Sequence, residues 1–269
     1  MRTTLSVGIL GLWALFAISV QFLPLNPNLI HLEQILAPPA TEALLGYDDL
    51  GRSIGERLLV GAQTSFMVAF WVVLFSAVIG TSIGTLSAWH GGRRDQFIVQ
   101  VIDIFLAFPG ILLAIALAGL LGPGVENVVL ALAVVGWVGY ARLARAQVLS
   151  LKHREHVMAA VALGTGTLRI MVKHLLPLMA APLIIEATFG VAAVVIAEAG
   201  LSFLGLGVQP PDASWGAMIR DGTRYMLVAP HMVLAPGAAI FAVVLAVNLL
   251  GDRLRDRLDI RTAAREVSA

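Results

Sequence analysis

An all-α fold that crosses a membrane several times is predicted by three observations: an apolar excess beyond soluble composition, six separate stretches of bilayer-spanning length, and basic residues gathered on alternate connections. Apolar residues make up 58% of the chain and charged residues 13%, with mean hydropathy +0.88. Soluble domains run near roughly 45–50% and 25%. With so much apolar surface the core is shared with lipid, and the useful count is of spans rather than of soluble domains.

A hydrocarbon layer about 30 Å thick needs roughly 20 helical residues. Residues 5–23, 65–89, 97–121, 128–149, 178–201 and 232–250 meet that length. The first could be mistaken for a cleaved leader, but it is long for one and has no small-x-small site before Gln21, so it is read as an anchor. If the N-terminus is inside, 14 of the 18 Lys and Arg side chains fall on inner segments, on and around Arg93, Arg142, Lys152, Lys173 and Arg253. Only Arg52, Arg57, Arg220 and Arg224 fall outside, and that asymmetry sets the orientation, with both termini cytoplasmic. The chain is therefore expected to be one transmembrane domain over 1–269. It comprises an anchor and outer segment at 1–63, a five-helix core at 64–251 and a tail at 252–269. The outer segments 24–64 and 202–231 hold most of the proline and glycine and are expected to be ordered loops.

One inner segment, 155–177, differs from a plain connection. Glu155-His156-Val157-Met158-Ala159-Ala160-Val161-Ala162-Leu163-Gly164 predicts a short helix whose small residues let another surface approach its backbone. Gly164 supplies the turn that ends it. Pro177 suits the first turn of the span that follows. The segment reads as a docking knob rather than a lipid anchor, because two alanines and a glycine give lipid little to hold.

Catalytic chemistry is thin. Cysteine is absent, which excludes disulfides, thiolate nucleophiles and cysteine metal sites. The two lysines, Lys152 and Lys173, lie outside any Gly-x-x-x-x-Gly-Lys-Ser/Thr loop, so no phosphate cradle is present and ATP-driven work would need another chain. His153, Glu155 and His156 are not in the His-Glu-x-x-His arrangement and are flanked by Lys152 and Arg154, which repel a cation; no metal is expected. No nucleophile-elbow pattern accompanies the serines. The tail interleaves Arg253, Arg255 and Arg257 with Asp252, Asp256 and Asp259, a solvated surface rather than a nucleic-acid site.

Three acids lie in or beside spans: Asp103, Glu186 and Glu198. Each costs roughly 2.5–3.5 kcal/mol at a helix centre on insertion scales, so each should face protein or water. They are candidates for a path taken by a cationic or amine-bearing solute, Glu186 being the deepest, with a structural hydrogen bond between helices as the alternative. The run Leu201-Ser202-Phe203-Leu204-Gly205-Leu206-Gly207 is expected to form a re-entrant or interfacial scoop at the outer mouth, buried in protein at that depth. Trp215 and Tyr225 are expected to anchor at the interface.

From about Gly46 to Asp259 the chain resembles the inner-membrane permease subunits of the dipeptide, oligopeptide and nickel branch of ABC importers. The residues 155–177 look like that superfamily's EAA loop. Narrower matches are the Leu201–Gly207 run, Pro210-Pro211, Ser214-Trp215-Gly216, Asp48, Leu50-Gly51-Arg52, Gly91-Gly92, Asp95, Tyr140-Ala141-Arg142, Gly251-Asp252 and Leu254-Arg255-Asp256. Met158 stands where the motif usually has glutamate, Ser53 where aspartate is common, and Ile260 where proline often follows.

The resemblance implies a type I ABC importer permease fold with cytoplasmic coupling helices in the bacterial inner membrane. It also implies a second homologous permease chain, two ATPase subunits that bind ATP and Mg, and an extracytoplasmic substrate-binding protein. In that scheme Glu155, Val157, Ala159, Ala160, Val161, Leu163 and Gly164 enter a groove of the ATPase. Peptides are the expected cargo, with nickel or a metal chelate as the alternative. An ATP-independent carrier or channel would leave the knob unexplained, and a membrane enzyme lacks a catalytic cluster.

Overall fold

The computed structural model describes residues 2–41 and 43–267. The side chains of Asp259 and Ile260, read above with the tail and the closing motif, lie outside the described residues. Among the described residues ten α-helices follow one another: α1 (Arg2–Ser19), α2 (Ile54–His90), α3 (Gly92–Ala107), α4 (Gly110–Leu121), α5 (Val125–Leu151), α6 (Glu155–Ala162), α7 (Thr167–Ile170), α8 (Leu176–Phe203), α9 (Trp215–Thr223) and α10 (His231–Val267). A single π-helical turn, Met171–Leu175, joins α7 to α8.

Among the described residues five helices are long and apolar enough to cross a bilayer alone, and α3 with α4 form a bent pair, 88° apart. The straight span expected over 97–121 is thus corrected to a broken one. Pro109 has no N–H to donate and pushes the preceding residue out of helical geometry, and Phe108 is extended (φ −104°, ψ 142°). The pair is held at both ends. Its start is tied to the far ends of α2 and α5, where Asp95 accepts bonds from Ser87 Oγ at 2.7 Å and from Arg145 Nε and Nη2 at 2.8 and 2.7 Å. Its other end packs Ala114 and Ala118 against Val128 and Ala131 at the start of α5. Taken as one span, the pair brings the apolar spans among the described residues to six.

Helix α2 begins at Ile54, earlier than the apolar stretch suggested. Ser53 caps it, its hydroxyl accepting from the Glu56 N–H at 3.4 Å, while the Glu56 carboxylate accepts from the Asn26 N–H at 2.9 Å. Serine thereby fills the cap role that aspartate would take. The closest helix pair is α2 with α5. A Cβ added at Gly84 would lie 2.9 Å from the Ala141 carbonyl carbon and Cα, and one at Gly80 would lie 2.7 Å from Tyr140 Cβ. Hydrogens on two helices touch there because no side chain intervenes.

The segment before α2 is an ordered clasp. Asp48 accepts from the N–H groups of Leu50 (2.9 Å) and Arg52 (2.8 Å), pairs with Arg52 Nε at 2.6 Å and lies 3.5 Å from Arg57 Nε. Arg57 reaches on to Asn28 Oδ1 at 3.1 Å and the Pro211 carbonyl at 3.2 Å, tying the two outer loops together. Burial, with the neighbouring Asp48 charge, pushes the Asp49 carboxyl above its usual range. Both Asp48 and Arg57 are buried. Asp48→Ala is expected to remove the buried carboxylate that Arg52 and Arg57 share and to cost about 3 kcal/mol or more. Thermal unfolding in detergent micelles would register this as a large fall in midpoint, and an unchanged midpoint would refute it.

Candidate functional site

Helix α6 ends in two reverse hydrogen bonds, Thr165 N–H to the Ala160 carbonyl at 3.0 Å and Gly164 N–H to the Val161 carbonyl at 2.9 Å. This closure needs a left-handed residue, which Gly164 supplies at φ +74°. Val157 and Ala160 point inward, packed with Ala88 at the end of α2, Val148 and Leu151 at the end of α5, and Ile170, Met171, Leu175 and Met179 where α8 begins. Lys152 Nζ donates to the Ala88 carbonyl at 3.3 Å, closing the same seat.

The knob is therefore fixed on the ends of three crossings. It corrects part of the expected docking face: Val157 and Ala160 lie against the chain's own helices and cannot enter a partner's groove. Glu155, Ala159, Val161, Leu163 and Gly164 remain outside. Three apolar residues that the sequence reading left off that face join them, Met158 (56% exposed), Leu168 (74%) and Val172 (53%). Helical spacing held the signal. Val157 and Ala160 are three apart and share one face, and Met158 and Val161 share the next.

The three acids do not form one path. Asp103 lies on an exposed face of α3. Glu198 is 1% exposed, accepting from Ser202 Oγ at 2.8 Å and from Ser65 Oγ at 3.1 Å. Its expected place on a path is corrected to the structural alternative, a bond between α8 and α2. Glu186 alone lines a cavity, of about 270 Å³, walled by α2, α4, α5 and α8. The break at Phe108–Pro109 brings Gly110 and Ile111 into that wall.

The Leu201–Gly207 run is the end of α8 and its cap rather than a separate scoop. Leu206 N–H bonds the Leu201 carbonyl at 2.9 Å and Gly205 N–H the Ser202 carbonyl at 3.1 Å, with Gly205 at φ +83°. The same glycine closure thus finishes α6 and α8. Leu201, Ser202 and Gly207 are buried, Gly205 and Leu206 are half-buried, and Phe203 and Leu204 face outward. The bond from Gly124 N–H to the Leu206 carbonyl at 3.2 Å fastens the cap to the start of α5.

Trp215 is a further correction. It is 2% exposed, sits in the cluster with Trp13, Ile54 and Met218, and donates Nε1–H to the Leu58 carbonyl at 3.0 Å. A Cβ at Gly61 would lie 2.7 Å from its ring, so the small residue on α2 makes its berth. Tyr225 packs against the same cluster.

Several helices of membrane-spanning length, a cavity among α2, α4, α5 and α8, and an apolar protrusion beside basic residues define a transport permease of the multi-pass membrane class. Residues 80–264 match the family described as binding-protein-dependent transport system inner membrane component, and the chain belongs to that family. It is 42% identical over 224 residues to the dipeptide transport system permease protein DppC of Alkalihalophilus pseudofirmus, covering 83% of this chain and 74% of that one. To the glutathione transport system permease protein GsiD of Pectobacterium atrosepticum it is 38% identical over 255 residues, covering 93% and 85%. Among solved structures it resembles a chain of the MetNI methionine ABC transporter in inward-facing conformation, with TM-score 0.60 and 20% identity over 74% of this chain and 95% of that one. That likeness extends to the fold, a type I importer permease.

Proposed function

We propose that the chain is one half of the translocation path of an ATP-driven peptide importer, turned so that both termini and α6–α7 face the cytoplasm. The observation that carries this reading is the α6–α7 protrusion, apolar on its free face and clamped on its other face to the ends of α2, α5 and α8. An ATPase groove that grips Met158, Val161, Leu163 and Leu168 would move three crossings together. The ATP and Mg then belong to two partner ATPase subunits, the facing half of the path to a second permease chain, and solute delivery to an extracytoplasmic binding protein. The peptide assignment is supported by relatives named for dipeptide, glutathione and peptide transport.

Gly164→Val tests the coupling. A Cβ at Gly164 meets nothing within 4 Å, so the first atom added there finds open space. Its cost is the left-handed backbone, roughly 1–2 kcal/mol, together with the loss of the closure that aims Leu163. The variant should insert in the membrane normally, lose ATPase co-purification and lose dipeptide uptake in proteoliposomes holding the whole importer. Full uptake by the variant, or ATP-independent uptake by this chain alone, would overturn the reading.

A further inference from the structure

The cavity beside Glu186 contains two hydroxyls with nothing to bond. Tyr140 is 4% exposed and Ser76 2%, both line the cavity, and neither Tyr140 Oη nor Ser76 Oγ has a hydrogen-bond partner. Buried hydroxyls are ordinarily satisfied, and leaving one unsatisfied costs roughly 1–3 kcal/mol. The backbone has also been cleared around all three polar tips. A Cβ at Gly136 would lie 2.5 Å from Ser76 Oγ, one at Gly139 2.9 Å from Glu186 Oε1, and one at Gly190 2.9 Å from Tyr140 Oη.

Gly136 and Tyr140 are one turn apart on α5, as are Glu186 and Gly190 on α8, and Ser76 joins them from α2, so the three groups gather where three helices meet. Among the described residues Glu186 is the single ionisable carboxyl in the cavity wall, and no cation lines it.

We propose that this cavity is a way-station for the ammonium end of the solute in transit: an –NH₃⁺ group has three donors, which Glu186, Tyr140 and Ser76 can accept. Apolar walls from Val72, Leu132 and Val194 would take an uncharged side chain. The inference rests on the importer reading above and adds to it the part of the solute that the permease itself recognises. A cation stripped of water inside a bilayer is costly, and acceptors placed midway lower that cost without retaining the solute.

The chain has no cysteine, so Ala193→Cys, in the cavity wall, gives it a single thiol. In the assembled importer that thiol is treated with the ammonium reagent 2-aminoethyl methanethiosulfonate or the sulfonate reagent 2-sulfonatoethyl methanethiosulfonate, and modification of this chain is followed by mass spectrometry. The ratio of ammonium to sulfonate rates should fall about ten-fold with Glu186→Gln and about three-fold with Tyr140→Phe, in keeping with the strength of charge-assisted hydrogen bonds. Glu186→Asp should retain most of the preference. An unchanged ratio in Glu186→Gln overturns the proposal, and so does a thiol that neither reagent reaches. Failure of the importer reading would appear separately, as absence of ATP-dependent uptake by the unmodified assembly.

Discussion

Val161→Asp with Leu163→Asp is expected to abolish ATP-driven uptake while leaving the chain folded in the membrane. Val161 on α6 and Leu163 at its C-terminal cap are 50% and 85% exposed. Carboxylates there stay in water until a partner covers them, so folding should change little. In a desolvated groove each lost apolar anchor costs about 2 kcal/mol or more, the scale of interface hot spots, and each added charge would be buried without a counter-ion. ATPase co-purification should fall at least about ten-fold, since every 1.4 kcal/mol is a decade of affinity. Val157→Asp is the informative contrast. That side chain is fully buried among the ends of α2, α5 and α8, so the variant should fail at folding or insertion. If the outward double variant kept its ATPase, the free face of α6 would not be the contact surface.

Gly84→Val should be the most damaging single substitution in the membrane core. The added side chain would drive into the Ala141 backbone, where no rotamer can relieve it. Overpacking of a tight core ordinarily costs about 1–3 kcal/mol, and the obstruction here is main chain, so the value should lie at or above the upper end. The separation of α2 and α5 would widen, and with it the seat of α6 and the wall of the Glu186 cavity. Thermal unfolding in micelles should show a sharply lowered midpoint or no folded population. A midpoint equal to that of the parent would mean that the α2–α5 contact is looser than its geometry implies.

The number of crossings and the protrusion at the basic end were legible in the sequence, because both follow from apolar run length, charge placement and a helix-ending glycine. The break at Phe108–Pro109 was equally written there. Apolarity masked it, since a run from 97 to 121 passes as one span unless the geometry of the pre-proline residue is given weight. Burial direction was harder to read. Val157 and Val161 are chemically alike, and only the positions of the α2 and α5 ends decide which one faces the protein. Trp215 fits an interfacial belt by composition, but the missing side chain at Gly61 makes a slot that draws it into the core. Glu198 and Glu186 are both acids in one apolar helix. The partners Ser65 and Ser202 enclose the first, whereas the second borders a cavity that exists only once four helices have assembled.

Because Val157 and Ala160 are wedged where α2, α5 and α8 all terminate, a force on the protrusion cannot bend one crossing by itself. In the importer proposed above, a pull on it would load all three together. The α3–α4 pair, divided at Phe108–Pro109, is by contrast interrupted in its helical hydrogen bonding, and its elbow borders the cavity that Gly110 and Ile111 help to wall.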